Sequence, residues 1–503
     1  MDTSSLWQGT AARTACLPTL QTDLKVDVAI VGGGIAGLTT ALRLVEAGKR
    51  VAILEAHKVG DGASSHSTGN LYATVDLGLA ALEQAHGATR GPEIARQVVE
   101  SRAAAIDLIE ATIARFGIDC GYQRVPWHLL ALDPAHVADV ENEAAAAGRA
   151  GLATELIDAA PIAVRATRVL RIPGQAQFQP LDYLRQLAQR IGGEDCLIFE
   201  NTRVLAVDDD PCVVHTEHGK VVAGQVVLAT HTPVGIHLVQ SNMEVVREYG
   251  VAAVMHDAVP APGVYWCIGA ERYSLRSFTE YERTYLVAVG SSHKTGDAGI
   301  GAERFDRLIA FARDQFPLAP VEYRWSAQRY RSRDKLPCIG RNVDARNTYI
   351  ATGFSGDGLV YGTLAGMLVA DQILGQANPW SALYNPARLA QGKRPEGFEQ
   401  ENSGPAKAPQ PPMVDRVTRA QLDSLPPCQT RKIEAGGQPV LVYRREDGGL
   451  QAVTGKCTHM GCELRWNGAD RSWDCDCHGS RFAPDGRVLE GPALAPLASV
   501  PLE

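Results

Sequence analysis

Apolar and polar positions divide this chain into segments of distinct pattern. Residues 26–31, Val-Asp-Val-Ala-Ile-Val, form a short apolar run suited to a strand buried in a parallel sheet. A helical pattern follows over 38–47, with Gly48 as its C-cap, and then a second strand over 50–54. Residues 80–160 are rich in Ala and helical in pattern, with few turn signals before Gly148 and Gly151, so helices are expected there. Pro180 opens a further helix. Strands are expected over 199–207 around Val204, at 213–216 and 220–222 as a hairpin through His218-Gly219, and at 225–229.

Residues 240–325 alternate apolar and polar, with strands expected at 265–266, 273–278 and 285–289, which together predict a large antiparallel sheet. A strand at 347–352 leads through a glycine-rich turn into a helix over 360–374. Residues 385–413 are Pro- and Gly-rich and charged, with few large apolar side chains, and read as a linker. Beyond it, 440–444 and 450–454 fit a small antiparallel β-domain. There are no internal repeats.

Chemistry enters first at the turn after the first strand. Gly32-Gly33-Gly34-Ile35-Ala36-Gly37 is a G-x-G-x-x-G motif in a strand–turn–helix–strand frame, with Glu55 placed 18 residues past Gly37. The glycines let the backbone approach a pyrophosphate, the helix N-terminus favours its charge, and Glu55 suits a ribose hydroxyl. Alone the motif is weak; in this frame, with the acid, it points to a dinucleotide.

The C-terminal region carries a second constellation. Cys457-Thr-His459-Met-Gly-Cys462 is followed by Cys475-Asp-Cys477-His478-Gly-Ser480-Arg-Phe482. Each arm offers one thiolate and one imidazole, from Cys457, His459, Cys475 and His478. Such a set suits a two-iron cluster in which one iron takes two sulfurs and the other two imidazoles. Zinc also takes Cys and His, but zinc knuckles need neither the Gly-Ser-x-Phe tail nor the spare pair Cys462 and Cys477. The double motif resembles the Rieske iron–sulfur family over roughly 415–503, including the Gly491-Pro492 loop. That resemblance implies a disulfide between Cys462 and Cys477 and a Ser480 hydroxyl donating to a cluster sulfur; Phe482 stands where many relatives have Tyr.

The rest of the chain resembles the FAD-dependent oxidases of the D-amino-acid, glycine and sarcosine oxidase group over most of 24–386. The resemblance is carried by the glycine motif, by the loop Gly60–Asn70, by Arg329–Gly340, and by Gly353-Phe354-Ser355-Gly356-Asp357-Gly358-Leu359. It implies FAD contacts at Ala63, Ser64, Ser65, Gly69, Asn70, Val204, Gly353, Gly356, Asp357, Gly358 and Leu359, beside Gly32, Gly34, Ile35, Ala36, Gly37 and Glu55. Two departures stand out: no Arg lies between Arg50 and Arg90, and Lys335 replaces a usual Gly. The resemblance also implies that Arg329 grips a substrate carboxylate, for which a planar guanidinium is suited. His293, which follows Gly290-Ser-Ser, is a pocket candidate set against a structural role, and Asp334 is read as structural.

Composition adds boundaries. The 503 residues call for two or three domains. A net charge of −8 argues against nucleic acid. Eleven cysteines without a disulfide-scaffold spacing suit a reducing compartment, and no signal-peptide pattern or long apolar run is present, so a cytoplasmic protein is expected. The expected fold is an α/β flavin-binding domain (24–80, 165–235, 330–386), an antiparallel-sheet substrate domain (81–164, 236–329), a linker (387–414) and an all-β Rieske domain (415–503). The expected function is FAD-dependent oxidation of a small amine or amino acid, with electrons passed through the [2Fe-2S] cluster to a carrier protein, quinone or oxygen. The alternative is an electron-transfer reductase driven by a nicotinamide or a carrier protein; against it stands the single dinucleotide motif.

Overall fold

The computed structural model describes residues 4–389, 422 and 424–501, apart from Ala258, Tyr281, Asp344 and Gly436. Most of the expected linker lies outside the described residues.

The apolar runs pair as their pattern requires. Leu24–Val31 lies between Lys220–Leu228 and Val51–Leu54 in parallel register, Cys196–Phe199 follows Val51–Leu54, and Thr348–Thr352 flanks Lys220–Leu228. All four residues of Val51–Leu54 are buried, as in a sheet covered on both faces. The sheet is flanked by the helices Ile35–Glu46 and Gly358–Ile373, which approach closely: a Cβ on Gly366 would meet the Thr39 side chain at 2.5 Å.

The second sheet places Leu318–Ser332, Met243–Met255, Arg283–Lys294, Arg272–Glu280 and Val264–Ile268 side by side, all antiparallel, and continues through Gln123–Ala131 and Arg168–Gln177. Gln123–Ala131 pairs parallel with Val264–Ile268. This strand corrects the all-helical expectation for 80–160, which holds for Leu79–Phe116 and Val137–Arg149. Its sequence, Gln-Arg-Val-Pro-Trp-His-Leu-Leu-Ala, carries Pro126 in its middle, which a helix interior does not accommodate, and the surrounding Ala-rich helices masked it. Arg168–Gln177 also belongs to this second sheet, inside a range expected to lie with the flavin part. The expected hairpin exists, but its second strand runs unbroken from Lys220 to Leu228, and the stretch around Val204 divides into Cys196–Phe199 and Val204–Asp209.

The C-terminal region forms two small antiparallel sheets, Thr430–Ala435/Gln438–Arg444/Leu450–Thr454 and Leu464–Asn467/Ser472–Cys475/Arg481–Phe482/Val488–Glu490. This unit has its own apolar cores, yet it is docked on the second sheet. Arg247 pairs with Asp470, and Ser326 Oγ donates to Asp470 at 2.7 Å. Gly468 N donates to Ile300 O at 2.8 Å, and Gln328 Nε2 to Gly479 O at 2.8 Å.

Candidate functional site

A cavity of about 430 Å³ opens at the C-terminal ends of the parallel strands, where α/β sheets bind their ligands. Gly32 takes φ +107° and a Cβ there would meet Ala229 O at 2.6 Å, while a Cβ on Gly37 would strike Gly32 O at 2.0 Å. The turn therefore packs only with glycine at both positions. Gly34 caps the Ile35–Glu46 helix with no side-chain hydrogen bond, so backbone N–H groups face the cavity at its positive end. Gly32, Gly34, Ile35, Ala36, Glu55, Ala63, Ser64 and Val204 line it. Glu55 is shaped from both sides: it accepts from Gly33 N and His57 N, each at 2.8 Å, and burial raises its pKa.

The Gly60–Asn70 loop is held from outside. Arg276, from the antiparallel sheet, donates to the carbonyls of Thr68 at 2.9 Å and Gly69 at 2.8 Å, and Trp7 Nε1 donates to Ser67 O at 2.7 Å. An arginine does meet this loop, but it comes from a distant strand. Gly37, Ser65, Gly69, Asn70, Gly353 and Asp357 stand behind the lining, whereas Gly356, Gly358 and Leu359 reach it. The Asn70 amide is buried with neither end hydrogen-bonded. A helix N-terminus met only by Ser64 Oγ at Ile35 N, 3.3 Å, and a glycine cradle fit the pyrophosphate of a dinucleotide.

The far wall is ionic. Arg329 lies on it, 6% exposed, with Nη1 on Asp76 at 2.8 Å and Nη2 on Glu248 at 3.0 Å. Burial works against the Arg329 charge, but Glu248 and Asp76 outweigh it and raise its pKa. Burial raises the Glu248 pKa, opposed by Arg329. Beside them Asp357 accepts from Asp76 N at 3.0 Å and faces Arg102 at 3.4 Å. Sequence reasoning missed Asp76 and Glu248. A signal did exist for Glu248: Arg247-Glu248 is a charged pair inside the apolar strand Met243–Met255, where charges are rare unless paired or used. His293 does not reach the cavity. It stands behind Tyr249, accepting from the Tyr249 hydroxyl at 3.0 Å while its Nδ1 donates to Lys294 O at 2.8 Å. Asp334 caps the turn before Pro337, taking Ser332 Oγ at 2.6 Å and Arg388 Nε at 2.7 Å, and Lys335 there adopts φ +64°.

The second constellation closes the cavity's remaining side. Glu490, Gly491, Ala493 and Leu494 line the cavity together with Thr230, His231, Thr232 and Val234. Cys457 and Cys475 hydrogen-bond each other, and the His459 and His478 rings stand 5.0 Å apart at 87°. Cys475 draws the Cys457 pKa down, and Ser480 contributes in the same direction against burial. The Ser480 hydroxyl accepts from Ala493 N at 3.1 Å. Cys462 and Cys477 are disulfide-bonded, which leaves two thiols and two imidazoles. His459 Nε2 donates to Gly235 O at 3.2 Å, leaving Nδ1 for iron, and His478 Nδ1 is buried without a partner. These groups fit a [2Fe-2S] cluster with one all-sulfur and one two-imidazole iron.

Comparison with known proteins agrees with both halves. The family described as "FAD dependent oxidoreductase" matches residues 27–372, and the Rieske [2Fe-2S] domain matches 415–501. The chain belongs to the FAD dependent oxidoreductase family. Its cofactors are FAD and a Rieske [2Fe-2S] cluster. This oxidoreductase is 30% identical to YhfW of Bacillus subtilis (strain 168), named as a Rieske 2Fe-2S iron-sulfur protein, over 97% of this chain and 95% of that one. It is 27% identical to the gamma-glutamylputrescine oxidoreductase of Escherichia coli (strain K12), over 76% of this chain and 92% of that one. The solved glycine oxidase from Geobacillus kaustophilus shares its fold, with a TM-score of 0.59 at 23% identity over 71% of this chain and 96% of that one. Among the described residues of the oxidoreductase no helix is long and apolar enough to cross a membrane.

Proposed function

We propose that this oxidoreductase oxidises a small amine or amino acid at the carbon bonded to nitrogen, and that the electrons leave through the Rieske cluster to a separate acceptor. Bound FAD supplies hydride acceptance and the bound cluster supplies one-electron steps. The product imine hydrolyses to a carbonyl compound and an amine. The observation that carries the reading is the shared loop at Gly235. Its carbonyl accepts from the ligand His459, its N–H donates to Pro492 O at 3.2 Å, and the adjacent Val234 lines the flavin cavity. The two redox sites thus meet across a single loop.

The ionic wall bears on the substrate. Both terminal nitrogens of Arg329 already meet carboxylates, so a substrate carboxylate at Arg329 would add a third anion beside Asp76 and Glu248. A substrate ammonium instead joins Asp76 and Glu248 and displaces nothing. This favours a cationic amine, and the similarity to a gamma-glutamylputrescine oxidoreductase is in keeping with an amine donor. Trp266, on the lining of the same cavity, supplies the aromatic flank such a cation needs. A cytoplasmic setting belongs to the same proposal, supported by unpaired cysteines such as the exposed Cys16.

The test is anaerobic mixing with a library of amines and amino acids. Flavin bleaching followed by the paramagnetic signal of the reduced cluster is expected with an amine. Bleaching by NADH, with none by any amine or amino acid, overturns the reading in favour of a nicotinamide-driven reductase.

A further inference from the structure

The two imidazoles of the cluster face different surroundings. His459 is 3% exposed and points into the flavin side at Gly235. His478 is half-buried and lies on the wall of a separate cleft of about 780 Å³. Four cations, Lys294, Arg331, Arg333 and Lys335, line this cleft, against two acids, Glu244 and Asp476. Among the described residues none of the four cations has an ion-pair partner, and Lys294 and Arg333 are exposed. The chain as a whole carries a net charge of −8, so this basic cleft is a local exception to its surface.

We propose that this cleft is the electron exit: the docking site of a small acidic protein that carries one electron and meets the cluster at His478. The proposal rests on the reading that the cluster passes electrons outward. Charge complementarity selects the partner, because a basic rim on an acidic molecule steers an acidic protein to this face and repels it elsewhere. The cluster's position selects its chemistry. The flavin-side imidazole is sealed, and His478 is the ligand that a docked carrier can approach. In each encounter the reduced cluster gives one electron to the oxidised carrier. No bond forms or breaks, and two encounters remove the electron pair taken from one substrate molecule.

Native and succinylated cytochrome c are probes of similar size and opposite charge. The holoprotein is reduced with dithionite, freed of it, and mixed with either probe while the haem band is followed. Because the cluster starts reduced, failure of amine oxidation leaves this test intact. The acidic, succinylated probe is expected to oxidise the cluster at least about tenfold faster at low ionic strength, with the preference fading in high salt. A Lys294→Glu/Arg333→Glu variant is expected to abolish or reverse the preference while keeping the cluster spectrum, since both side chains are exposed. Binding of redox-inert, zinc-substituted succinylated cytochrome c, read by fluorescence anisotropy, is expected to weaken in parallel. Equal or faster reaction with native cytochrome c, or a preference unchanged in the variant, overturns the proposal. So does a variant that slows only ferricyanide, because the cleft would then receive small anions and not a protein.

Discussion

Two buried ionic assemblies lie on neighbouring strands and differ in one respect. At the domain interface, Arg247 and Arg481 share Asp470, Asp474 and Glu490, and among the described residues none of these side chains has an unpaired buried polar atom. On the cavity wall, Arg329 pairs with Asp76 and Glu248 and Arg102 with Asp357, and here Arg329 Nε, Arg102 Nε, Asp76 Oδ1 and Asp357 Oδ1 all lack a hydrogen bond, Asp76 Oδ1 facing only Arg272 at 3.7 Å. A network that satisfies itself holds surfaces together. A network that faces a cavity with capacity left over is built to complete itself on something else.

The difference predicts unequal costs. Arg247→Met should be the most damaging change, because it leaves the buried Asp470 short of charge, its side chain only 6% exposed. A loss of about 3–5 kcal/mol in domain docking is expected, read by denaturation followed at the cluster's visible band and by proteolytic release of the C-terminal unit. Arg329→Met should cost less, about 1–3 kcal/mol, since Asp76 and Glu248 adjoin a cavity that admits water. Equal losses in the two variants would erase the distinction drawn between the assemblies.

Glu248→Gln sharpens the functional side. If Glu248 holds a substrate ammonium, kcat/KM for the best amine should fall by roughly 10- to 150-fold, from a charged hydrogen bond of about 1.5–3 kcal/mol, while the cluster stays loaded. An unchanged kcat/KM would make Glu248 only the partner of Arg329.

Acidity should separate the assemblies by sign, as the smallest effect. Burial opposes ionisation of Asp470 and Glu490, but Arg247 and Arg481 outweigh it and lower both pKa values. Their contribution is complete above the ordinary carboxylate range and is lost as pH falls through the lowered values. Burial raises the pKa of Glu248 and of Asp357. Ionising them costs stability above the raised values, and that cost disappears as pH falls towards the ordinary range. Mild acid should therefore ease the cavity wall before it loosens the interface. Release of the C-terminal unit at a higher pH than any change at the wall, followed by hydrogen exchange, would contradict this order.

What the sequence by itself determined is local. The turn Gly32–Gly37 and the arms Cys457–Cys462 and Cys475–Ser480 carry their groups within a few residues of one another, so spacing and local frame together show the chemistry they offer. Lys335 and Asp334 belong to the same class, because the turn they make closes on itself. The fate of Arg329 was decided only by tertiary structure. Val246 pairs with Arg329 and Glu248 with Ala327, which sets Glu248 and Arg329 diagonally on one face, while Arg247, on the alternate face, turns to Asp470. A slip of one residue would have exchanged the two roles. Arg276 on the loop at Gly69, Tyr249 screening His293 and Gly235 meeting His459 have the same origin. Each joins residues far apart in the chain, through strand register and domain docking that no short stretch of sequence encodes.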